Sequence, residues 1–422
     1  MKIIQVDGVK KPIFSWCPDL ELQALEQMQA LAKLPFVVHS ALMPDAHMGM
    51  KDGAPIGSVI ATKGIILPTG CGVDIGCGAL ACKTSIKAEE IADEEVRKTI
   101  HNSVLRGIPM GFSHNNPTRI KEMQQKYSQR VDYIFEKSKI EKSVFVMANM
   151  EETEKMVYSQ LGSLGGGNHG IDIGEDEEGY LWILIHSGSR NIGKRICDRF
   201  VDLAKNMNNL WYSINTNGIP FLPTSSQEGQ DYIAWMEFGL RFAYLNRFAM
   251  MKEIQKDLQH IFPYAKFEEE INIHHNYAAL ENHYGDNVWV HRKGATEARE
   301  KTIGIILGSM ATPSYIVKGL GNDKSLSSCS HGAGRIMGRK AFNQQFNNEE
   351  GIKRIKEAMK GITYCKFGRS TSRNDKDTGM LDLSESPMAY RDIEAVMANE
   401  ADLVSPIHKL TPRINWKDTG EE

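Results

Sequence analysis

Residues 70–78 read GCGVDIGCG and place one carboxylate, Asp74, three residues before one thiol, Cys77, among four glycines. Glycine admits positive φ and lets the backbone approach a bound group closely. A hard oxygen ligand next to a soft sulfur ligand, on a tight backbone, suits a transition-metal ion. The bland alternative is a turn with an acidic tip and a buried, inert cysteine.

Thirteen histidines are present, and four sit at strand ends or in Gly-rich loops: His169 in GGGNHG, His186 before SGSR, His275 in HHNY and His331 in CSHGAGR. Each alone is more often a satisfied polar group than a ligand. Taken with Asp74 and Cys77 they offer an acid, a thiolate and three imidazoles, enough for two adjacent divalent ions, with one ring to spare. Paired metals suit phosphoryl chemistry, because they neutralise phosphate oxygens and clamp attacking and leaving groups. GSLGGGNHG, GSM at 308–310 and SHGAGR at 330–335 could turn backbone N–H groups toward a phosphate. None ends as a P-loop or follows the dinucleotide fingerprint, so turns remain the alternative. His331 has small neighbours and histidine can attack phosphorus, although acid, base or ligand roles stay open. Arg335 lies one turn further on if a helix starts at His331, and a guanidinium grips phosphate bidentately.

These residues are scattered, so a large fold must gather them. The chain has 422 residues, 41% hydrophobic and 24% charged, with a formal net charge of -3. A polyanion partner would therefore need a local basic patch rather than a global field. Such clusters occur at Arg190, Lys194 and Arg195, at Arg292 and Lys293, and at Arg335, Arg339 and Lys340; solvated surface charge is the alternative. Seven dispersed cysteines argue against a disulfide framework and for a reducing, cytoplasmic setting. No apolar run is long enough to span a bilayer, and the N-terminal stretch, broken by Asp7, Lys10 and Lys11, does not read as a signal peptide.

The pattern predicts an α+β fold, a single large domain over 1–422 with central, largely antiparallel sheets, flanking helices and the active site in a cleft at strand ends. Helices are expected over 19–34, 87–104, 117–139, 231–260, 335–346 and 349–360. Another should open at Pro387 with Ser386 as N-cap. β structure is expected over 56–69, at YLWILIHS and in short strands through 271–335. A loop or insertion is expected over 207–228, and an exposed loop over 366–380. The 231–260 segment is apolar on most sides, which predicts a buried helix rather than a cofactor face.

The motifs MPDAHMG, PIGSVIATKG, GVDIGCG, LGGGNH, HSGSRNIG, HHNY, RKGA, GIILGSM, YIVKGLGN, SSCSHGAGR and SPMAYRDI occur in this order over residues 43–393. Together they resemble the RtcB family of RNA ligases, and the pairing of SSCSHGAGR with GVDIGCG is highly specific. The resemblance implies a GTP- and Mn²⁺-dependent enzyme. It would join RNA 3′-phosphate or 2′,3′-cyclic phosphate ends to 5′-hydroxyl ends, in tRNA splicing or RNA repair. It implies guanylylation of His331, two manganese ions on Asp74, Cys77, His169, His186 and His275 with Cys77 bridging, and guanylate contacts from Asn168, Asn276, Ser309, Tyr390 and Lys417. An archease-type activator is a further expected partner.

The chain departs from the family pattern at Gly170, where a bulky aromatic is usual, at Asp172, where glutamate is usual, and in the acidic tail that follows Lys417. These changes suggest a divergent member. Two other readings are a dinuclear metal phosphoesterase that opens cyclic phosphate ends without ligation, and a non-catalytic RNA-binding relative.

Overall fold

The computed structural model describes residues 1–9, 11–50, 53–140, 144–210, 218–268, 270–369 and 379–418. Two large sheets organise them. One has six strands in the order Lys2–Ile4, Ile13–Ser15, Val37–His47, Ile56–Thr62, Asp286–Lys293 and Asn276–His283. The other runs Ile271–His274, Gly78–Lys87, Tyr180–Ser187, Gly170–Glu175, Val404–Lys417, Ser314–Gly319 and Ile303–Ile306, with Thr363–Tyr364 pairing beside Val404–Lys417. Pairing is antiparallel apart from Ile13–Ser15 on Val37–His47 and Thr363–Tyr364 on Val404–Lys417. The α+β expectation is met.

The Tyr180–Ser187 strand shows how sequence sets the layers. Successive side chains of a strand point to opposite faces. Leu181, Ile183 and Ile185 accordingly join a core with Ile100 and Val104 of the Glu94–Gly107 helix. Trp182 and Leu184 join a different core with Ile305, Leu307, Ile316 and Leu410. Both faces are buried, which explains the continuous apolar run. The second core also holds Ile271 and Ile273 from the opposite end of the strand order, so the sheet curls toward closure.

The long buried helix runs Gln227–Ile261, and the Ser226 hydroxyl caps it by accepting from the Gly229 amide at 3.1 Å. Trp235, Phe238 and Phe242 pack with Val131 and Ile134 of the Pro117–Ser138 helix and with Ile196 and Phe200 of the Arg190–Leu210 helix. Met250, Met251 and Ile254 pack under the curled sheet. Truncating a ring such as Phe242 to alanine in such a core costs about 3–5 kcal/mol.

Several local expectations are corrected. Residues 68–71 form a helical turn, Pro68–Cys71, rather than β structure. Helices Met150–Gln160 and Arg190–Leu210 fill segments in which no helix was read, and the second occupies the start of the expected 207–228 loop. Positions 211–217 of that loop, 370–378 of the 366–380 loop and 419–422 of the acidic tail lie outside the described residues. No helix begins at His331 or at 335; the helix there is Arg339–Phe346. Pro387 opens only a 3₁₀ turn, Pro387–Ala389, in which Ser386 makes no cap bond. The helix that follows, Ile393–Asn399, is capped by Asp392, which accepts from the Glu394 amide at 3.0 Å. Among the described residues no helix is long and apolar enough to cross a membrane.

Candidate metal centre and the histidine beside it

One level of the curled sheet carries most of the chemistry. Across it His274 pairs with Gly78, Gly78 with Ser187, His186 with Gly170, and Gly170 with Lys417. Cys77, His169 and His275 are the chain neighbours of Gly78, Gly170 and His274, so five strands deliver their polar ends to one row. Gly76 supports the approach of this loop: it adopts φ +75, and a Cβ there would meet Ala243 of the long helix at 2.9 Å.

Cys77 occupies the middle of the cluster. Its Sγ lies 3.3 Å from His169 Nε2 and 3.3 Å from His186 Nε2. His169 Nε2 is 2.8 Å from Asp74 Oδ2 on one flank, and His186 Nε2 is 3.3 Å from His275 Nε2 on the other. The donor atoms of Cys77, His169 and His186 all fall within 4.8 Å of one another, a spacing that could hold a metal ion. Three imidazoles, a thiol and a carboxylate fit divalent transition ions. A central sulfur with a pair of donors on each side is an arrangement in which one thiolate can serve two ions.

The electrostatics prepare the same chemistry. Burial opposes ionisation of Asp74, yet the His169 imidazole beside it holds the carboxyl below its usual range. Burial, reinforced by neighbouring histidines, holds His186 and His275 well below the ordinary imidazole value, so both rings are neutral and free of a proton that would block a metal. Burial and the Asp74 charge push the Cys77 thiol well above its ordinary value. A metal arriving here must displace that proton.

Two adjacent residues of the long helix brace the ligand loops. Arg247 is fully buried. It donates to the carbonyls of Gly76 at 2.9 Å, Ser187 at 2.8 Å and Ile273 at 3.2 Å, beside three of the ligand positions. Asn246 accepts from the Gly162 amide at 2.8 Å and donates to the carbonyls of Ser163 at 3.0 Å and Gly188 at 3.2 Å. This pair fixes the loops that carry Cys77, His169, His186 and His275.

His331 stands next in line, with its ring centroid 4.8 Å from that of His275. It follows the short Ser328–Ser330 strand, and its carbonyl accepts from the Leu307 amide at 3.0 Å. Its Nδ1 lies 2.6 Å from Oδ2 of the fully buried Asp45. Neither Asp45 oxygen nor His331 Nδ1 makes a hydrogen bond among the described residues, so this close approach is the polar contact available to each. The His331 side chain keeps 12% exposure and lines a chamber of about 150 Å³ with Asn168, Arg335, Arg339, Tyr390 and Lys417.

Glu385 ties the far side of that chamber together. It accepts from Arg339 at 2.9 Å, from Arg335 at 3.2 Å and from Lys417 at 3.4 Å, and also from the Tyr390 hydroxyl. Burial opposes its ionisation, but the charges of Arg339, Lys417 and Arg335 hold it down to about 2. A larger cleft of about 890 Å³ reaches Asp74 and His169 from the other side. It is lined also by Arg190, Lys194, Arg339 and Lys340, so Arg339 borders both spaces.

The other expected positions are placed as follows. Asn168 gives its carbonyl to Lys417 Nζ at 3.1 Å. Asn276 lies between loops: its amide donates to the Asp74 carbonyl at 3.1 Å and accepts from the Gly294 amide at 2.7 Å. Ser309 follows the chamber residue Gly308 and bonds Thr312 at 2.8 Å. Gly170 leaves space that Lys417 uses, since a Cβ there would meet Lys417 Cγ at 3.1 Å and Cε at 3.2 Å. Asp172, two register positions away, accepts from Asn415. Burial pushes its carboxyl up to about 6.

The basic cluster at Arg292 and Lys293 is not a surface track. Arg292 is fully buried and paired with Glu281 at 2.5 Å, and the buried Lys293 donates to the Ala54 carbonyl at 2.5 Å. Sequence reasoning gave no role to Asp45, Arg247 or Glu385. Their signals were weak but present: an acid inside MPDAHMG, one of two arginines in an apolar helical stretch, and an acid between two serines.

The chain matches the family described as "tRNA-splicing ligase RtcB" over residues 27–418. It is 38% identical over 418 residues to the RNA-splicing ligase RtcB of Escherichia coli (strain K12), covering 94% of this chain and 95% of that one. It is 26% identical over 456 residues to the tRNA-splicing ligase RtcB of Thermococcus kodakarensis, covering 92% and 90%. With the match spanning nearly the whole sequence, the chain belongs to the RtcB family.

Proposed function

We propose that this protein is a GTP-dependent RNA ligase that joins RNA 3′-phosphate or 2′,3′-cyclic phosphate ends to 5′-hydroxyl ends through guanylylated His331, in tRNA splicing or RNA repair. The observation that carries the reading is a solvent-reachable imidazole beside His275 of a five-donor cluster, with cationic walls opposite. The names of the relatives support a ligase that acts on RNA.

In this reading Asp45 keeps the proton on His331 Nδ1 and leaves Nε2 as the nucleophile. Nε2 attacks the α-phosphorus of GTP, and the bond to the β-phosphate oxygen breaks as pyrophosphate leaves. An RNA 3′-phosphate oxygen then takes the guanylyl group from His331 and restores the ring. The RNA 5′-hydroxyl attacks the activated 3′-phosphorus, and GMP departs. Without activation that attack would have to expel a hydroxide-like group. A cyclic end is first opened to the 3′-phosphate.

Asp74, Cys77, His169, His186 and His275 would hold two Mn²⁺ ions, which supply charge neutralisation at the phosphates. Arg335 and Arg339 face the same chamber and stabilise charge on a bound phosphate. The chamber has room for the phosphate that His331 attacks. The adjoining cleft, which shares Arg339, has room for an RNA end.

Incubation with GTP labelled at the α-phosphate and Mn²⁺ tests the reading. Label should stay on the wild-type protein through denaturation and be absent from His331→Ala. Equal label on both, or turnover of cyclic ends with no nucleotide and no adduct, would replace the ligase with a phosphoesterase.

A further inference from the structure

Away from the metal centre, a cavity of about 720 Å³ opens between the Glu94–Gly107 helix, the 361–366 segment and the end of the last strand. On its wall Cys365 Sγ lies 3.5 Å from His101 Nε2. The His101 ring stacks on Trp416 at 5.3 Å and 8°, and the Asn102 side chain and the Asn415 backbone lie within hydrogen-bond reach of it. That packing holds the imidazole in one orientation. We propose that Cys365 and His101 form a reactive thiol–imidazole pair that undergoes exchange with small, carboxylate-bearing disulfides entering this cavity.

Three features support the assignment. Cys365 is half-buried, whereas the other six cysteines are buried. Burial pushes Cys17, Cys71 and Cys197 up to about 12, which makes those thiols inert. Burial also lowers the His101 value, so the ring is neutral before the reaction. The charged groups facing the pair are Glu94, Arg97 and Lys98 on the helix, Lys366 on the adjoining segment, and Lys417 and Asp418 on the last strand. Cations outnumber carboxylates among these lining groups, which favours an anionic reagent.

The step balances. His101 Nε2 takes the Cys365 proton, the thiolate sulfur attacks one sulfur of the disulfide, and the old S–S bond breaks. The products are a mixed disulfide on Cys365 and one released thiolate. Lys417 lines this cavity and also the His331 chamber, so an adduct here would sit against a wall the two spaces share.

The test treats the full-length, manganese-loaded protein with glutathione disulfide and reads intact mass, peptide maps and initial rates from pH 6 to 9. One adduct is expected, mapped to Cys365 and lost in Cys365→Ser, forming about tenfold faster at pH 7 than on an unstructured cysteine peptide. His101→Gln should remove that advantage, and cystamine, which is cationic, should react more slowly than glutathione disulfide. No adduct, an adduct at another cysteine, or a wild-type rate and pH profile matching the peptide would overturn the proposal. The wild-type profile decides the matter even where a His101 variant unfolds.

Discussion

The Nδ1 atom of His331 stands 2.6 Å from a carboxylate oxygen of Asp45, which has no solvent exposure. The acid lies on the Val37–His47 strand of one sheet system, and the histidine follows a short strand far along the chain. In the proposed reaction this carboxylate would keep a proton on Nδ1, which leaves the Nε2 lone pair for the substrate. Asp45→Asn is therefore expected to lower the rate of guanylylation about 100- to 10⁴-fold, as loss of a tautomer-fixing acid does elsewhere. Label transfer from GTP measures the rate, and calorimetric Mn²⁺ titration should show unchanged metal binding. Loss of metal binding in Asp45→Asn would show that the acid serves the cluster instead.

Cys77 lies between the two flanks of the donor cluster, so its removal should unlink them. On the proposed two-ion site, Cys77→Ala is expected to retain no more than about one ion against an expected two in the wild type, read by elemental analysis after dialysis. The raised thiol adds a pH dependence with a definite sign. Binding displaces a proton, so Mn²⁺ affinity should rise with pH by about tenfold per unit across the neutral range. The slope should flatten in Cys77→Ala. An unchanged slope would mean that the sulfur is not a ligand.

Arg247 braces three ligand-bearing segments at once. Arg247→Lys keeps a charge but loses the planar fork that reaches several carbonyls. Mn²⁺ affinity is expected to fall about 10–100-fold, the usual cost of disturbing groups that orient metal ligands. Asn246→Ala should act in the same direction through the 162–163 loop. Wild-type affinity in both variants would show that the ligand loops hold themselves.

The contrast between these residues explains what was legible from sequence. Asp74, Cys77, His169, His186 and His275 were picked out by residue type in Gly-rich contexts together with the family resemblance, and the fold brings their side chains together. A continuous apolar run predicted the buried strand Tyr180–Ser187, and a helical stretch apolar on most sides predicted burial of Gln227–Ile261. Asp45 and Arg247 were hidden because their role is to touch something distant in the chain, and no local spacing encodes a contact across 171 or 286 residues. Glu385 was hidden for the same reason, since it gathers Arg335, Arg339, Tyr390 and Lys417 only after folding. The Arg190–Leu210 helix was missed because its basic positions were weighed as surface charge or a nucleic-acid track and not for helical periodicity. The supposed Ser386 cap failed because Pro387 starts only a 3₁₀ turn, and the real cap lies six residues on.

Glu400 supplies a pH test of the ground beneath His331. It is fully buried and accepts from the Ser330 amide at 2.9 Å and the Ser330 hydroxyl at 2.6 Å, one residue before the histidine. Burial pushes its carboxyl up from 4.5 to about 8, with the charges of Asp45 and Asp402 adding to the rise and the Ser330 bonds opposing it. A raised acid binds more protons folded than unfolded between those values. Its contribution is therefore fully present below about pH 4.5 and is lost as pH climbs through about 8, a change of a few kcal/mol. Glutamine keeps an acceptor for Ser330 and cannot ionise. Glu400→Gln should match the wild type in thermal stability near pH 5 and exceed it increasingly toward pH 9. Melting curves across that range make the measurement. A constant difference would mean that Glu400 does not change its charge there, and a deficit at pH 9 would mean that its anion is the form the fold prefers.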